Sequence, residues 1–169
     1  VTHQQLVAAL LNSQTTLSLA TSAEDGSPHI APLFYLAGEA FHLYWLSSAT
    51  SLHSRNLKRS PAAAVAVYSP ATEWKEIRGV QMRGAVSVVH ARVERRQIVE
   101  AYAARFHLGP LFRARIARSR LYRFQPEWIR YLDNTTRFGC KFEFTVEASN
   151  LDRSRSLETE HNLETEPRP

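Results

Sequence analysis

Between His3 and Asn12 the apolar residues Leu6, Val7, Leu10 and Leu11 fall on one face at helical spacing, which predicts a short N-terminal helix. The period then changes. Thr16–Ser22 alternates β-formers with small polar residues, Glu24-Asp25-Gly26-Ser27 has turn chemistry, and His29–Ala37 reads as a second strand. Gly38-Glu39 is a tight turn before a third, aromatic-rich strand at Ala40–Leu46. Ser48–Lys58 reads as a short helix with Ser or Thr to cap its start, and Pro61 ends it before a buried strand, Ala62–Tyr68. Glu76–Val89 is a long strand in which Gly79 and Gly84 mark bends or close backbone approach. Helical spacing returns at Arg92–Phe106 and Leu108–Ala117, with Gly109-Pro110 between them. Leu121–Phe124, Trp128–Leu132 and Phe142–Val146 supply the last strands. This order predicts an α+β barrel with short peripheral helices.

From Ser149 onward the chain is polar, lacks aromatics and ends in Pro-Arg-Pro, too little apolar surface to offset its ordering entropy. One domain over residues 1–147 and a flexible acidic tail over 148–169 are therefore expected. The 169 residues are 44% apolar and 22% charged, which excludes a wholly disordered, collagenous or coiled-coil chain. No apolar run approaches the ~20 residues of a membrane span, and no basic stretch followed by an apolar one opens the sequence. A single cysteine, Cys140, leaves no internal disulfide and no cysteine-built zinc site. A cytoplasmic protein without a membrane partner or a bound metal is the expectation.

The net charge of +5 is uneven. Residues 1–145 carry 18 of the 21 basic and 10 of the 16 acidic residues, a net +8, and the last 24 residues are net −3. Ten arginines lie in Arg92–Arg130. Such a cluster suits nucleic acid or an anionic cofactor, but no groove-reading or base-stacking signature accompanies it, so nucleic acid is not the expected partner.

Three stretches carry candidate chemistry. Ser47–Pro61, SSATSLHSRNLKRSP, leaves a strand and enters a helix, whose N-terminus offers free N–H groups to an anion. Ser51 adds a hydroxyl there, and His53 and Arg55 add further donors. In Lys75–Gly84, KEIRGVQMRG, alternation puts Ile77, Gly79, Gln81 and Arg83 on one face and Arg78, Val80 and Met82 on the other. A bare glycine beside Gln81 lets a planar ring approach while the amide pairs with its edge. Asp133–Lys141, DNTTRFGCK, gathers turn residues, an aromatic and two cations before the last strand.

Together with the AYAARF run at Ala101–Phe106, these stretches resemble the pyridoxamine 5'-phosphate oxidase-like, flavin-binding split-barrel superfamily. Within it, the small group of uncharacterised bacterial proteins typified by YhbP is the most similar. The resemblance covers about residues 5–145 and implies a split β-barrel. It also implies a homodimer with flavin mononucleotide (FMN) in a cleft between two chains. Ser51 and His53 match the phosphate-holding Ser/Thr and cation of the short helix, so an imidazole replaces the usual Lys or Arg. His29 matches a cation on the second strand, and Tyr44 and Trp45 are implied to line the cleft. Gly79 and Gln81 match the strand beneath the isoalloxazine, and Arg137 and Lys141 lie where the oxidases close over cofactor and substrate. The histidine of their closing Arg-x-His-x-Arg pattern is missing here, so pyridoxamine 5'-phosphate oxidation is not expected.

The resulting expectation is an FMN-dependent oxidoreductase or flavin reductase-like enzyme of unknown substrate, with catalytic residues unassigned. The alternative is a non-catalytic binding or storage module for flavin, deazaflavin or haem, for which His29, His42, His53, His90 and His107 are candidate ligands.

Overall fold

A computed structural model describes residues 1–110, 116 and 118–147. The expected tail and most of the expected helix at Leu108–Ala117 lie outside the described residues. Helix α1 (His3–Ser13) opens with a capping box: Thr2 Oγ1 accepts from the Gln5 N–H, and the Gln5 side chain accepts from the Thr2 N–H. Strands β1 (Thr16–Ser22), β2 (Pro28–Phe34), β3 (Leu36–Ala37) and β4 (Leu43–Ser47) follow, then helix α2 (Leu52–Arg59). Next come β5 (Ala62–Tyr68), β6 (Arg78–Val88), helix α3 (Arg92–Arg105), β7 (Arg120–Asp133) and β8 (Lys141–Thr145).

The strands form one antiparallel sheet in the order β2-β1-β5-β6-β7-β4-β3, with β8 also paired to β7. It curls into an α+β split barrel. Inward residues of alternating strands, among them Leu17, Leu19, Val65, Val80, Met82 and Ile129, bury against Val7 and Leu11 of α1. Long-range bonds from two side chains fix that helix: Tyr35 Oη donates to Leu11 O at 2.6 Å, and Arg105 Nη2 donates to Asn12 O and Gln14 O at 2.7 and 2.9 Å. The second of these supplies donors to carbonyls that a helix end leaves unpaired.

Three sequence expectations change. The expected strand at Ala40–Leu46 begins only at Leu43. Glu39–Phe41 forms a 3₁₀ turn in which Ala40 and Phe41 take φ of 50° and 61°. The expected strand at His29–Ala37 breaks at Tyr35, whose backbone N–H turns to Thr15 O while its ring enters the core. The expected strands Leu121–Phe124 and Trp128–Leu132 are one strand, β7. On one side β7 pairs with β6 from Tyr122 to Asp133, skipping Glu127; on the other it pairs with β4 over Arg120–Phe124 and with β8 over Trp128–Leu132. Pro126 sits between those two partners, opposite Gly84, where the β6 register shifts, so its missing N–H breaks no ladder.

Candidate cofactor site

The end of β4 and the start of α2 form a compact polar cluster. Ser51 is the N-cap of α2, its Oγ accepting from the Ser54 N–H. His53 Nε2 lies 3.0 Å from Ser51 Oγ and 2.8 Å from Ser47 Oγ, so one ring nitrogen joins both hydroxyls. The backbone N–H groups of Leu52 and His53 belong to the helix's first turn and have no intrahelical acceptor. His53 is only 7% exposed. Burial, reinforced by the nearby His29, holds its imidazole below its ordinary pKa.

The frame around this cluster is tight. Asn56 Nδ2 donates to Thr21 Oγ1 at 3.1 Å with both side chains buried, fastening α2 to β1. Arg59 donates to Ser22 O and Ala23 O, and Arg55 to Thr50 O at 3.3 Å. These guanidinium groups serve the backbone, leaving imidazole and hydroxyls as the cluster's polar groups. Their chemistry fits a phosphate: two hydroxyls and an imidazole, bonded here to one another and to Ser48 O and Ser54 Oγ, sit at a helix N-terminus, and an incoming anion would stabilise the imidazolium that burial now opposes.

The second stretch behaves as alternation predicts. Val80 and Met82 are core, while Gln81 and Arg83 point outward. That outer face is floored by Ala20, Ala62, Ala64 and Ala66, and carries adjoining grooves of about 560 and 370 Å³. Trp128 forms a wall, with the Arg83 and Arg130 guanidinium carbons 4.6 and 4.9 Å from its ring centroid. Gly79 lies at the lower end of this face, opposite Tyr68 on β5 and Leu132 on β7.

The third stretch is a braced turn. Asn134, 9% exposed, donates from its side chain to Trp74 O at 2.8 Å and accepts from the Gly139 N–H at 3.0 Å. Its own N–H donates to Ile77 O. Lys141 pairs with Leu132, as Gly79 does from the other side, so Gly79, Arg137 and Lys141 share one end of the barrel. Ser47, which leads to Ser51, pairs with Arg120 at the other end of β7. The twelve positions from Arg120 to Leu132 correspond to about 40 Å of strand path.

The expected residues thus fall into two groups. His29, Ser51 and His53 come together; Gly79, Arg137 and Lys141 lie at the opposite end of the barrel, and Gln81 lies between, on the groove that Ala20 and Ile30 also line. Tyr44 and Trp45 do not present a surface. Trp45 is fully buried and stacked on Tyr122 with centroids 5.7 Å apart, and Tyr44, 6% exposed, packs with Val89 and Leu121. Leu43 and Trp45 alternate inward on β4, so Trp45 supports the site from the core instead of lining it. Sequence reasoning missed Ser47, whose signal was its position at the end of a strand, four residues before the helix cap. It also missed a separate aromatic pocket of about 650 Å³ between β2 and α3, lined by Phe34, Leu46, Tyr102, Phe106 and His107. Among the described residues no group of three or more His, Cys, Asp or Glu side chains could hold a metal ion, and no helix is long and apolar enough to cross a membrane.

The family model for pyridoxamine 5'-phosphate oxidase matches residues 4–133. This chain is a member of that family. No curated protein matches its sequence. Its fold is similar to that of Rv2991, a conserved hypothetical protein of Mycobacterium tuberculosis: TM-score 0.70 and 20% identity, covering 89% of this chain and 95% of that one. It is also similar to HutZ, the haem storage protein of Vibrio cholerae, at TM-score 0.63 and 18% identity, covering 86% and 95%. A haem-binding protein of Mycobacterium smegmatis gives TM-score 0.61 and 19% identity, covering 82% and 56%. The family match does not single out the YhbP-like group.

Proposed function

We propose that this member of the family binds FMN at the interface of a homodimer and acts as a flavin-dependent oxidoreductase. The Ser47–Ser51–His53 cluster at the N-terminus of α2 is the observation that carries this reading. Its donors suit the flavin phosphate, and His29 supplies a second imidazole beside it. Gly79 and Gln81 present the bare backbone and amide edge suited to an isoalloxazine, while Arg137 and Lys141 provide the cations missing near α2. Because the α2 cluster and the Gly79, Arg137 and Lys141 group lie at opposite ends of β7, a second chain would complete each site, giving two equivalent clefts related by a twofold axis. When bound, the flavin supplies the hydride chemistry; the chain positions it and tunes its electrostatics. The aromatic pocket beside Leu46, one residue before Ser47, is the candidate substrate pocket.

Flavin titrations of point variants test the cradle. A neutral hydrogen bond contributes about 0.5–1.5 kcal/mol and one to a charged group about 1.5–3 kcal/mol. Ser51→Ala is therefore expected to weaken FMN binding about threefold to tenfold, and His53→Ala about tenfold to a hundredfold. Riboflavin, which has no phosphate, loses almost nothing from either change, and His53→Lys retains or improves FMN affinity. Equal losses for both ligands would make these residues structural and refute the cradle.

A non-catalytic store for flavin, deazaflavin or haem is the second reading. His107, with φ of 50°, lines the aromatic pocket with Phe34 and Phe106, and in the haem case its imidazole would hold the iron while the rings would cover the apolar macrocycle. A Soret band in the purified protein, abolished by His107→Ala, would favour it.

A further inference from the structure

The aromatic cavity between β2 and α3 combines a rigid wall with a fixed charge. The Phe106 ring packs against Phe34 and Tyr102 with centroids 5.1 and 4.7 Å apart, and Tyr102 Oη donates to Phe34 O at 3.3 Å. Phe34 nonetheless stays 56% exposed, so the wall presents ring surface to whatever enters. The Arg105 guanidinium also lines the cavity, its carbon 6.0 Å from the Phe106 centroid. Asn12 O and Gln14 O hold Nη2 and thereby fix the group in place. Nη1 and the buried Nε have no hydrogen-bond partner among the described residues. Among those residues no carboxylate lines the cavity, and none pairs with Arg105. A held cation with a spare donor beside an aromatic wall is the complement of an anion carried on a flat ring.

The cavity adjoins the groove beside Gln81. Ser18 and Pro32 pair across β1 and β2, and Ser18 lines that groove while Pro32 lines the cavity. Ile30, two positions before Pro32 and on the same face of β2, lines the groove as well. Resting on the reading of this cavity as the substrate pocket, we propose that it takes a flat aromatic carboxylate. The ring lies against Phe34 and Phe106, and the carboxylate accepts from Arg105 Nη1. The volume of about 650 Å³ lies within the range of small-molecule sites.

Calorimetry on the flavin-free chain tests the proposal with 2-naphthoate and 2-naphthamide, which share a ring system and differ in charge. The parent is expected to bind the acid once per chain and the amide about tenfold to a hundredfold more weakly. That comparison needs no substitution, so it stands apart from the part Arg105 plays in holding α1. Arg105→Gln should weaken the acid by the same factor and leave the amide unchanged, whereas Phe34→Ala should weaken both. Arg83→Gln, which removes a cation from the neighbouring groove, should alter neither. Equal affinity for acid and amide, or binding of neither, would refute the proposal. So would loss of the acid through Arg83→Gln but not Arg105→Gln, which would put the ring in the groove instead. FMN titration of the parent separates the two readings. Binding of FMN without 2-naphthoate defeats this proposal alone; binding of 2-naphthoate through Arg105 without FMN defeats the flavin reading and leaves the cavity a carboxylate site.

Discussion

Gly84 and Gly79 lie five residues apart on β6, yet alanine at the two positions should have opposite consequences. A Cβ on Gly84 would stand 2.0 Å from Gln125 O, 2.8 Å from Pro126 Cα and 2.9 Å from Gln125 C, all backbone atoms of the bulge in β7. Ordinary contact would need more than 1 Å of movement in a strand pinned on both sides, and no flexible side chain can yield instead. Overpacking typically costs about 1–3 kcal/mol, and a clash with fixed backbone puts Gly84→Ala at about 3 kcal/mol or beyond. At about 2–4 °C per kcal/mol for a chain this size, the melting temperature falls by about 6–12 °C. On Gly79 the nearest atoms are Tyr68 Cβ and Val67 O, both at 3.3 Å, and Tyr68 is 61% exposed, so a few tenths of an ångström suffice. Gly79→Ala is expected to shift the melting temperature by no more than about 3 °C, under about 1 kcal/mol, while raising the Kd for FMN and riboflavin alike, because a methyl group stands under the ring. Calorimetry and flavin titration read the two effects separately. Equal destabilisation by both substitutions, or unchanged stability in Gly84→Ala, would refute the assignment of one glycine to the bulge and the other to the ring.

Because burial holds the His53 pKa below its ordinary 6.5, the unfolded chain takes up that proton first, and the stability present above about pH 6.5 is lost as pH falls toward the folded value. The melting temperature of flavin-free protein should therefore fall between about pH 7.5 and 5.5, and His53→Gln should flatten that slope; an unchanged slope would contradict the buried neutral imidazole. Tyr35→Phe removes the donor to Leu11 O and is expected to cost about 0.5–1.5 kcal/mol, read as a lower midpoint in urea with an unchanged m-value. Asn134→Ala leaves the Gly139 N–H without its acceptor and should cost about 1–3 kcal/mol. It should also weaken FMN binding, whereas an FMN affinity equal to the parent's would separate the brace from the site.

Period-two alternation made β6 legible: Val80 and Met82 turn inward, Gln81 and Arg83 outward, as the spacing alone requires. Helix α2 was legible through Ser51, whose cap chemistry is local in sequence. What escaped was decided by partners distant in the chain. Pro126 reads as a strand break in isolation, and only the handover from β4 to β8 along the same edge of β7 lets it sit inside a 14-residue strand. The left-handed backbone at Ala40 and Phe41 has no glycine or asparagine to announce it. Gly38 just before that turn packs against the Tyr44 ring, where a Cβ would meet Cε2 at 2.7 Å. The burial of Trp45 depends on which face of β4 meets Tyr122, a matter of tertiary packing that its place in an aromatic-rich segment cannot reveal.

The most direct test of the central claim is the visible spectrum of freshly purified protein, with mass identification of whatever heat releases. A chain that holds FMN at the α2 cluster should show flavin absorption and release FMN, with at most one molecule per chain and two per dimer. A Soret band, a released deazaflavin, or riboflavin in place of FMN would contradict a phosphate held by Ser47, Ser51 and His53.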